Sequence, residues 1–168
     1  MQHDKVILVD EQDRELGQME KLEAHQKGLL HRAISVFIFN SHRELLLQRR
    51  AAGKYHSAGL WTNTCCSHPW PGESTKEAAG RRLYEEMGLH AELQFNTSFI
   101  YKTVFDNGLT EHELDHIFTG NSNDTPLPDP MEVAEYKWSS LADIRRDMQM
   151  YPEEYTSWFK IIMDSHFK

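Results

Sequence analysis

The segment from Ser74 to Gly88 carries the marks of a helix at both of its ends. Ser74 and Glu77 form a capping box, in which each side chain satisfies a free backbone N–H group of the first turn. Gly88 suits the left-handed conformation that closes a helix, so helix is predicted up to about Met87. Leu83 belongs to an apolar line at four-residue spacing, and this face must be buried against another layer of the fold.

Short strand-like runs supply that other layer. They are rich in Val, Ile, Leu, Phe and Tyr, and turn residues separate them. Residues 40–43 predict a hairpin turn, and the Pro-, Asp- and Asn-rich residues 121–130 predict a loop. Further helices are predicted after Ser140 and from near Pro152, the latter carrying Trp158. Strands mixed with helices predict an α/β or α+β sandwich. The strand runs are 6–9, 34–40, 44–48, 99–104, 114–119 and 133–138.

The size and charge of the chain narrow its class. Its 168 residues predict one domain over 1–168, and the oligomeric state does not follow from them. The net charge of −8 argues against a nucleic-acid partner but leaves a local basic pocket for a small anion open. No membrane span is expected because the apolar stretches are too short, and no secretory signal is expected because the N-terminus has no basic region followed by an apolar one. Adjacent Cys65 and Cys66 are poorly placed to bridge each other, so we expect free thiols in a soluble cytoplasmic protein.

Residues 61–89 contain the side chains that indicate most about the chemistry of the chain. A loop with a thiol, Cys66, and an imidazole, His68, runs into the helix, where Arg81 and Arg82 each reach a glutamate four residues on. Taken alone, this charge pattern is more typical of a solvated helix face, with ion pairs worth about 0.2–0.5 kcal/mol each.

The spacing in this segment resembles the Nudix signature, G-x5-E-x7-R-E-U-x-E-E-x-G-U, in which U is apolar. Two positions depart from it, because Ser67 stands where the first Gly belongs and Arg82 replaces the Glu of the R-E pair. In Nudix hydrolases that Glu helps to hold the Mg²⁺ used for diphosphate hydrolysis. Its replacement by Arg82 therefore favours binding of a diphosphate over hydrolysis of it. The matching residues are Glu73, Arg81, Leu83, Glu85, Glu86, Gly88 and Leu89.

The flanking motifs TNTCCSHP, GLLHRAISVFIFN, LLLQRRA and TEHELDHI together resemble the type 1 isopentenyl diphosphate isomerases, over about residues 21–158. That family uses the Nudix fold, a mixed β-sheet sandwiched between helices, to interconvert isopentenyl and dimethylallyl diphosphate in isoprenoid biosynthesis. The resemblance implies a tertiary carbocation held between Cys66 and Glu113, with Tyr101 hydrogen-bonded in the same relay. Which of the two gives the first proton in each direction stays open.

The resemblance also implies a metal site formed by His25, His31, His68, Glu111 and Glu113. The two carboxylates are two residues apart, so on a strand they face the same way. Mixed imidazole and carboxylate ligands suit a divalent metal ion, and Mn²⁺, Zn²⁺ and Mg²⁺ remain open. His25 and His31 are six residues apart, which places them on one side of an extended segment but not of a helix.

A second ion, Mg²⁺, is implied on the substrate diphosphate, with Glu86 and the backbone carbonyl of Cys66 as ligands. Cations at four positions would bind the diphosphate, and their charge-assisted contacts must offset the negative charge of the whole protein. Trp158 is expected to shield the carbocation with its π face, although it would serve equally well as a core anchor. The four cations, each of which alone is more typical of a solvated surface, are Lys21, Arg50, Lys54 and Arg82.

Two other functions stay open. A Nudix hydrolase of a nucleoside diphosphate derivative would have to work with Arg82 in the helix and would have no use for Cys66 and His68. A non-catalytic Nudix-fold binding module would be favoured if the His and Glu positions did not converge in space.

Overall fold

The structure, a computed structural model, describes residues 4–167, so the first three residues and the last of the predicted 1–168 domain lie outside it. The strands are β1 (Lys5–Val9), β2 (Glu15–Glu20), β3 (His31–Phe39), β4 (Glu44–Arg50), β5 (Trp61–Thr62), β6 (Cys65–Ser67), β7 (Gln94–Val104), β8 (Thr110–Asn121) and β9 (Val133–Ser140). The helices are α1 (Lys21–Lys27), α2 (Thr75–Met87), α3 (Leu141–Met150) and α4 (Ser157–Ser165), with a 3₁₀ turn at Pro152–Glu154. Within residues 4–167, no helix combines the length and the apolar character needed to cross a membrane.

Strand β3 is the hub of a mixed sheet. It runs parallel to β8 along its whole length and antiparallel to β1 and β6. Strand β7 extends this part of the sheet beyond β8, while β4 pairs with β5 and β9 on the other side. The parallel pairing of β3 with β8 is possible because residues 40–109, which contain β4, β5, β6, α2 and β7, lie between them in the chain and form the long connection that it requires.

Helices cover the sheet on both faces, which confirms the predicted α+β sandwich. One core joins the even-numbered residues of β3, such as Ile34, to the apolar face of α2, including Leu83. The other core joins Phe37 of β3 and Leu47 of β4 to α3 and to the buried face of α4, where Trp158 lies. The alternation of side chains along β3 therefore assigns every second residue to the α4 side of the sheet.

A cleft opens in the sheet because β3 and β4 pair only at one end, at Phe39 and Leu45. Further along, β3 takes β6 as its neighbour and β4 takes β5, so residues 61–67 bridge the two diverging strands. The segment that interrupts the pairing of β3 with β4 is TNTCCS, in which residues 62–65 are buried and Cys66 and Ser67 line the opening.

The helix predicted from Ser74 is confirmed in detail. Ser74 Oγ accepts from the backbone N–H of Glu77, and the Glu77 side chain accepts from the Ser74 N–H. Gly88 ends the helix with a φ of 66°. The third predicted helix, by contrast, begins later than expected. The chain makes a 3₁₀ turn at Pro152–Glu154, and α4 starts only at Ser157, where the hydroxyl of Thr156 caps it.

Candidate active site

Four neighbouring strands present their chemistry on one face of the sheet. In the register, Tyr101 of β7 lies opposite Glu113 of β8, and Glu113 lies opposite His31 of β3. On the other side of β3, Ser35 lies opposite Cys66 of β6. Residues two apart on a strand share a face, so Glu111 joins Glu113, and the segment after β6 brings His68 to the same side.

His25 reaches this face from a helix, which corrects the expectation of an extended segment between His25 and His31. Helix α1 ends at Gly28, whose φ of 66° turns the chain back into β3. The two imidazole rings thereby come to 4.9 Å between centroids. Six-residue spacing is compatible with convergence here because the turn, and not a straight strand, brings the two residues together.

The His and Glu residues predicted as metal ligands converge. One donor atom from each lies within 4.8 Å of the donor atoms of all the others, and the group combines three imidazoles with two carboxylates. Four of the five residues are buried and His68 is partly exposed. The group consists of His25, His31, His68, Glu111 and Glu113.

The hydrogen bonds of the imidazoles orient their free nitrogens inward. Nδ1 of His25 lies 2.6 Å from the carbonyl oxygen of Lys21, and Nδ1 of His31 lies 2.9 Å from that of Leu29. A carbonyl oxygen only accepts hydrogen bonds, so both Nδ1 atoms carry a proton. In the neutral rings each Nε2 therefore carries a lone pair. These lone pairs face carboxylate oxygens, with His31 Nε2 3.2 Å from Glu113 Oε2.

Two atoms of the cluster are left without hydrogen-bond partners among the described residues. They are His31 Nε2 and Glu111 Oε2, and both are buried. Buried acceptors that face one another are unfavourable unless a positive charge lies between them. The donor set therefore fits a divalent cation bound by nitrogen and oxygen, with the outer ring nitrogens fixed by backbone carbonyls as is usual for metal-bound histidine.

The protonation of the cluster also fits a cation. Burial alone would raise the pKa of Glu113, but a proton on the neighbouring His68 or His31 ring lowers it well below the usual range, and a bound cation would act in the same direction in place of that proton, so the side chain is a carboxylate. Burial lowers the pKa of His68 to about 4, which leaves it neutral. At His25 burial also acts to lower the pKa, but the Glu111 carboxylate outweighs burial and raises the pKa of His25. A raised pKa means that the site favours an added proton on this ring, and a bound cation would take the place of that proton.

Cys66 is held as a thiol by what surrounds it. The indole Nε1–H of Trp158 donates to Sγ at 3.0 Å, and the S–H group lies 3.0 Å from Oδ1 of Asn63. Burial, assisted by the nearby Asp115 carboxyl, raises the pKa of Cys66 to about 12. The thiol is therefore a proton source rather than a nucleophilic thiolate at neutral pH.

Tyr101 binds the same carboxylate as the histidines. Its hydroxyl donates to Oε1 of Glu113, while Oε2 of Glu113 lies 2.5 Å from His68 Nε2. Burial and the Glu113 charge raise the pKa of Tyr101 well above its ordinary value, so the hydroxyl keeps its proton. The two oxygens of Glu113 thus have different neighbours, a phenol on one and imidazoles on the other.

The residues predicted to bind the diphosphate gather at the mouth of the site. Arg82 contacts three carboxylates, with Glu85 at 2.8 Å, Glu86 at 3.2 Å and Glu132 at 3.5 Å. Lys54 Nζ lies 2.6 Å from Glu132. Burial raises the pKa of Glu86, while its Oε1 accepts from Gln48 at 3.2 Å and its Oε2 lies against Arg82.

The other two cations lie over aromatic rings. Lys21 Nζ lies 5.1 Å from the centroid of Tyr55, and burial together with the nearby Lys54 lowers the pKa of Lys21. The Arg50 guanidinium lies 5.3 Å from the Trp158 ring and donates to the carbonyl of His56 at 3.2 Å.

A single cavity of about 150 Å³ joins these groups. Its wall contains Glu111 and Glu113 of β8, the thiol, the phenol and all four cations, whereas His25, His31 and Glu86 are buried and do not line it. The residues predicted for the site that line the cavity are Lys21, Arg50, Lys54, Cys66, His68, Arg82, Tyr101, Glu111, Glu113 and Trp158.

Sequence reasoning missed His56, which is buried in the same wall. Its Nε2 lies 2.6 Å from Glu111 Oε1, and its ring stacks on Phe105 at 4.9 Å between centroids. Glu111 Oε1 therefore meets two imidazoles, His25 and His56, while its Oε2 is the unpaired atom. No motif or spacing in residues 51–60 marks His56, because this residue lies in the loop between β4 and β5 and its partner is 55 positions away on β8.

Arg81 and Glu73, which both match the signature in residues 67–89, stabilise the loop before α2. The guanidinium of Arg81 donates to both oxygens of Glu73, at 2.8 and 2.9 Å, and lies 3.6 Å from the centroid of the Trp70 ring. Glu73 also accepts from the backbone N–H of Trp70 at 2.9 Å. This bidentate pair fixes the loop between His68 and α2.

Comparison with known families agrees with the fold and with the family resemblance. The NUDIX domain model matches residues 29–159. Isopentenyl-diphosphate Delta-isomerase 2 of Aromatoleum aromaticum is 53% identical over 161 residues, which cover 96% of this chain and 85% of that protein. Isopentenyl-diphosphate Delta-isomerase of Pectobacterium atrosepticum is 55% identical over 157 residues, which cover 94% and 88% of the two chains.

Solved structures match the fold at lower identity. A MutT protein from Methanosarcina mazei superposes with a TM-score of 0.67 at 23% identity, covering 80% of this chain and 91% of that one. A MutT NUDIX hydrolase from Burkholderia pseudomallei superposes with a TM-score of 0.65 at 18% identity, covering 82% and 98%.

Proposed function

The chain belongs to the isopentenyl-diphosphate Delta-isomerases within the NUDIX family and is an isomerase, and from this premise we propose that Cys66 and Glu113 move the protons of its reaction. The reaction interconverts isopentenyl and dimethylallyl diphosphate by shifting one C=C bond. One observation carries the assignment: a protonated thiol and an ionised carboxylate line the same cavity. Such a pair can give a proton at one carbon and accept a proton from another.

In the direction of dimethylallyl diphosphate, the proton of Cys66 adds to the terminal CH₂ carbon of the alkene. The π electrons form the new C–H bond and leave a tertiary carbocation. The Glu113 carboxylate then takes a proton from the carbon that is bonded to the cationic carbon on its diphosphate side. The electrons of that C–H bond form the new double bond. The reverse direction uses the same two groups in exchanged roles, and proton exchange with water restores the resting state.

The carbocation needs a dry site with negative charge and π faces. The Trp158 ring is 3% exposed and is fixed by the bond from its Nε1–H to Cys66 Sγ, so its position follows that of the thiol. A cation over an indole face in a dehydrated site is worth about 2 kcal/mol or more. Tyr101 orients the Glu113 carboxylate through its hydroxyl bond on Oε1.

The buried cluster of three histidines and two glutamates is proposed to hold one divalent metal ion, Mn²⁺, Zn²⁺ or Mg²⁺. Such an ion would supply Lewis acidity that keeps Glu113 ionised at rest and makes its protonated form a stronger acid, which assists the direction in which Glu113 gives the proton. Within the chain, the backbone carbonyls of Lys21 and Leu29 fix the tautomers of His25 and His31, and the shared carboxylate links this cluster to Tyr101.

The diphosphate is proposed to bind at the cationic end of the cavity, the part lined by Lys21, Arg50, Lys54 and Arg82, with Mg²⁺ held by Glu86 and the backbone carbonyl of Cys66. Oxygen ligands are those that Mg²⁺ prefers. The four cations supply the charge-assisted contacts, and their aromatic and carboxylate neighbours fix them before substrate binds. The free thiols are consistent with a reducing compartment, and we place the enzyme in the cytoplasm, in isoprenoid biosynthesis.

A substrate assay tests this function. The protein is incubated with isopentenyl diphosphate, Mg²⁺ and Mn²⁺, and both the dimethylallyl product and released phosphate are measured by NMR. Isomerisation without phosphate release is expected. A hydrolase of nucleoside diphosphate derivatives would instead release phosphate from a panel of such compounds, and a non-catalytic binding module would leave every substrate unchanged with its metal sites filled.

A further inference from the structure

Glu132 is fixed within the cationic end of the cavity by its backbone. Its N–H donates to the carbonyl of Asp129 at 3.0 Å, and its own carbonyl accepts from the N–H of Ala51 at 3.0 Å. The N–H of Asp129 in turn donates to the carbonyl of Glu86 at 2.9 Å. The loop before β9 is therefore tied to α2 and to the end of β4, and the carboxylate position is built into the fold.

This carboxylate contacts two of the four cations assigned to the diphosphate. Glu132 Oε2 lies 2.6 Å from Lys54 Nζ, and Oε1 lies 3.5 Å from Arg82 Nη2. The Glu132 side chain is 25% exposed and lines the cavity. Burial opposes its ionisation, but Lys54 outweighs this and lowers the pKa of Glu132, so the negative charge is present at neutral pH.

A diphosphate that enters without a metal ion meets two obstacles at this point. Lys54 is already paired with Glu132, and the anion must approach a fixed negative charge in a partly dehydrated site. A diphosphate that carries Mg²⁺ has most of its charge neutralised, so it is repelled much less and still offers oxygens to the cations.

We propose that Glu132 is a specificity-determining residue that makes the site select the Mg²⁺ complex of the diphosphate over the free anion. This inference rests on the proposed function, because it takes the cations at the mouth of the cavity as the diphosphate site. It assigns a role to a carboxylate that lies outside both metal-ligand sets proposed above.

The matched control is Glu135, three residues further along. It also forms an ion pair with a basic residue of β4, Arg49, at 2.8 Å, but both side chains are about half exposed and neither lines the cavity. Neutralising Glu135 removes the same charge from the same strand region without touching the diphosphate site.

Calorimetric titration with inorganic diphosphate, with and without Mg²⁺, tests the proposal on wild type, Glu132→Gln, Glu132→Asp and Glu135→Gln. In Glu132→Gln the affinity for Mg²⁺-free diphosphate should rise about fivefold or more, while the affinity for the Mg²⁺ complex changes little, so the preference for the complex narrows. Glu132→Asp, which keeps the charge, and Glu135→Gln should keep the wild-type preference.

An unchanged or weaker affinity of Glu132→Gln for the free anion overturns the inference. So does an increase in the Mg²⁺ concentration needed for binding, since that result would make Glu132 a metal ligand. If wild type binds inorganic diphosphate in neither condition, the proposed diphosphate site itself fails. If wild type binds the Mg²⁺ complex and Glu132→Gln leaves the preference intact, only the role of Glu132 fails.

Discussion

Two adjacent cysteines have different environments because neighbouring residues of a strand point to opposite faces of the sheet. Cys65 packs into the core under α2, fully buried among apolar side chains. Cys66 packs on the α4 side, against Trp158 and the cavity. The prediction that the second cysteine carries the chemistry came from motif position, and the alternation of the strand gives it a physical basis.

Replacing the thiol tests its role directly. Cys66→Ala should lower kcat by about a hundredfold to ten-thousandfold, because a positioned acid–base group contributes a factor in that range. Cys65→Ala is the control and should retain activity at a modest cost in stability. Steady-state kinetics with thermal melting of both variants distinguish the two cysteines, and wild-type turnover in a folded Cys66→Ala would remove Cys66 from the mechanism.

The raised pKa of Cys66 predicts how its alkylation depends on pH. Only the thiolate reacts, and a free cysteine with a pKa near 8.5 reaches its full rate soon above that pH. With a pKa of about 12, Cys66 carries less thiolate at pH 8.5, and its rate should keep rising with pH through pH 10. Iodoacetamide labelling followed by mass spectrometry gives the profile, and a plateau below pH 9 would contradict this account of the thiol.

Some site residues could be predicted from the sequence and others could not. Glu111 and Glu113 share a strand face by period alone, and His68 follows Cys66 within one motif. His56 and Glu132 have no such local signal, because their partners, Glu111 and Lys54, lie on other elements. Pairing across elements is a property of the fold, and one sequence carries no direct record of it.

At the scale of elements, the strongly patterned segments were predicted best. Helix α2 has both caps and an apolar face in its sequence, and its bounds agree with the structure. Strand β2 (Glu15–Glu20) was missed because it is largely exposed and contains no β-branched or aromatic residue, and β7 was predicted to begin at residue 99 because residues 94–96 are exposed. The start of α4 was predicted too early because Pro152 suits a 3₁₀ turn as well as a first helical turn.

The C-terminal end of α2 depends on a glycine that also contacts the loop before β9. A Cβ on Gly88 would lie 2.7 Å from Leu127 Cβ and 2.8 Å from its carbonyl oxygen, at a φ of 66°. Gly88→Ala should therefore lower the free energy of unfolding by about 2–4 kcal/mol, since backbone strain and a clash add.

Gly72→Ala is the matched control for this prediction. Gly72 has a φ of 84° but nothing lies within 4 Å of a Cβ there, so only the backbone strain of about 1 kcal/mol is expected. Denaturant unfolding compares the two variants. Equal losses would mean that the contact between Gly88 and Leu127 does not constrain the loop.

For the whole molecule, the site depends on the divergence of β3 and β4. The two strands pair at Phe39 and Leu45 and diverge from there toward the start of β3 and the end of β4, and the resulting cleft lets the cationic end meet the cluster of histidines and glutamates. The ligands of that cluster come from α1, β3, β8 and the segment after β6. A bound metal ion would thus join four parts of the chain that are distant in sequence.

Removing the metal should therefore loosen the whole fold. A metal ion that binds only the folded chain stabilises it by about 2.7 kcal/mol at a hundredfold excess over its Kd, equivalent to about 5 °C or more in Tm. We expect chelation to lower Tm by about this amount and Mn²⁺ or Zn²⁺ to restore it.

Two variants check that the shift in Tm comes from the cluster. His31→Ala removes a ligand and should abolish the response to metal, while His42→Ala, on the exposed turn before β4, should keep it. A full metal response in His31→Ala would place the stabilising ion elsewhere.

The central claim is that the isomerase adds one proton and removes another, and proton NMR in deuterated buffer tests it most directly. Isopentenyl diphosphate is incubated with the Mg²⁺- and Mn²⁺-supplied protein, and the product is examined for label. The account predicts dimethylallyl diphosphate with deuterium in a methyl group, formed without phosphate release and lost in Cys66→Ala. Dimethylallyl diphosphate free of deuterium would mean that the hydrogen moves within the substrate, and it would contradict the roles of Cys66 and Glu113.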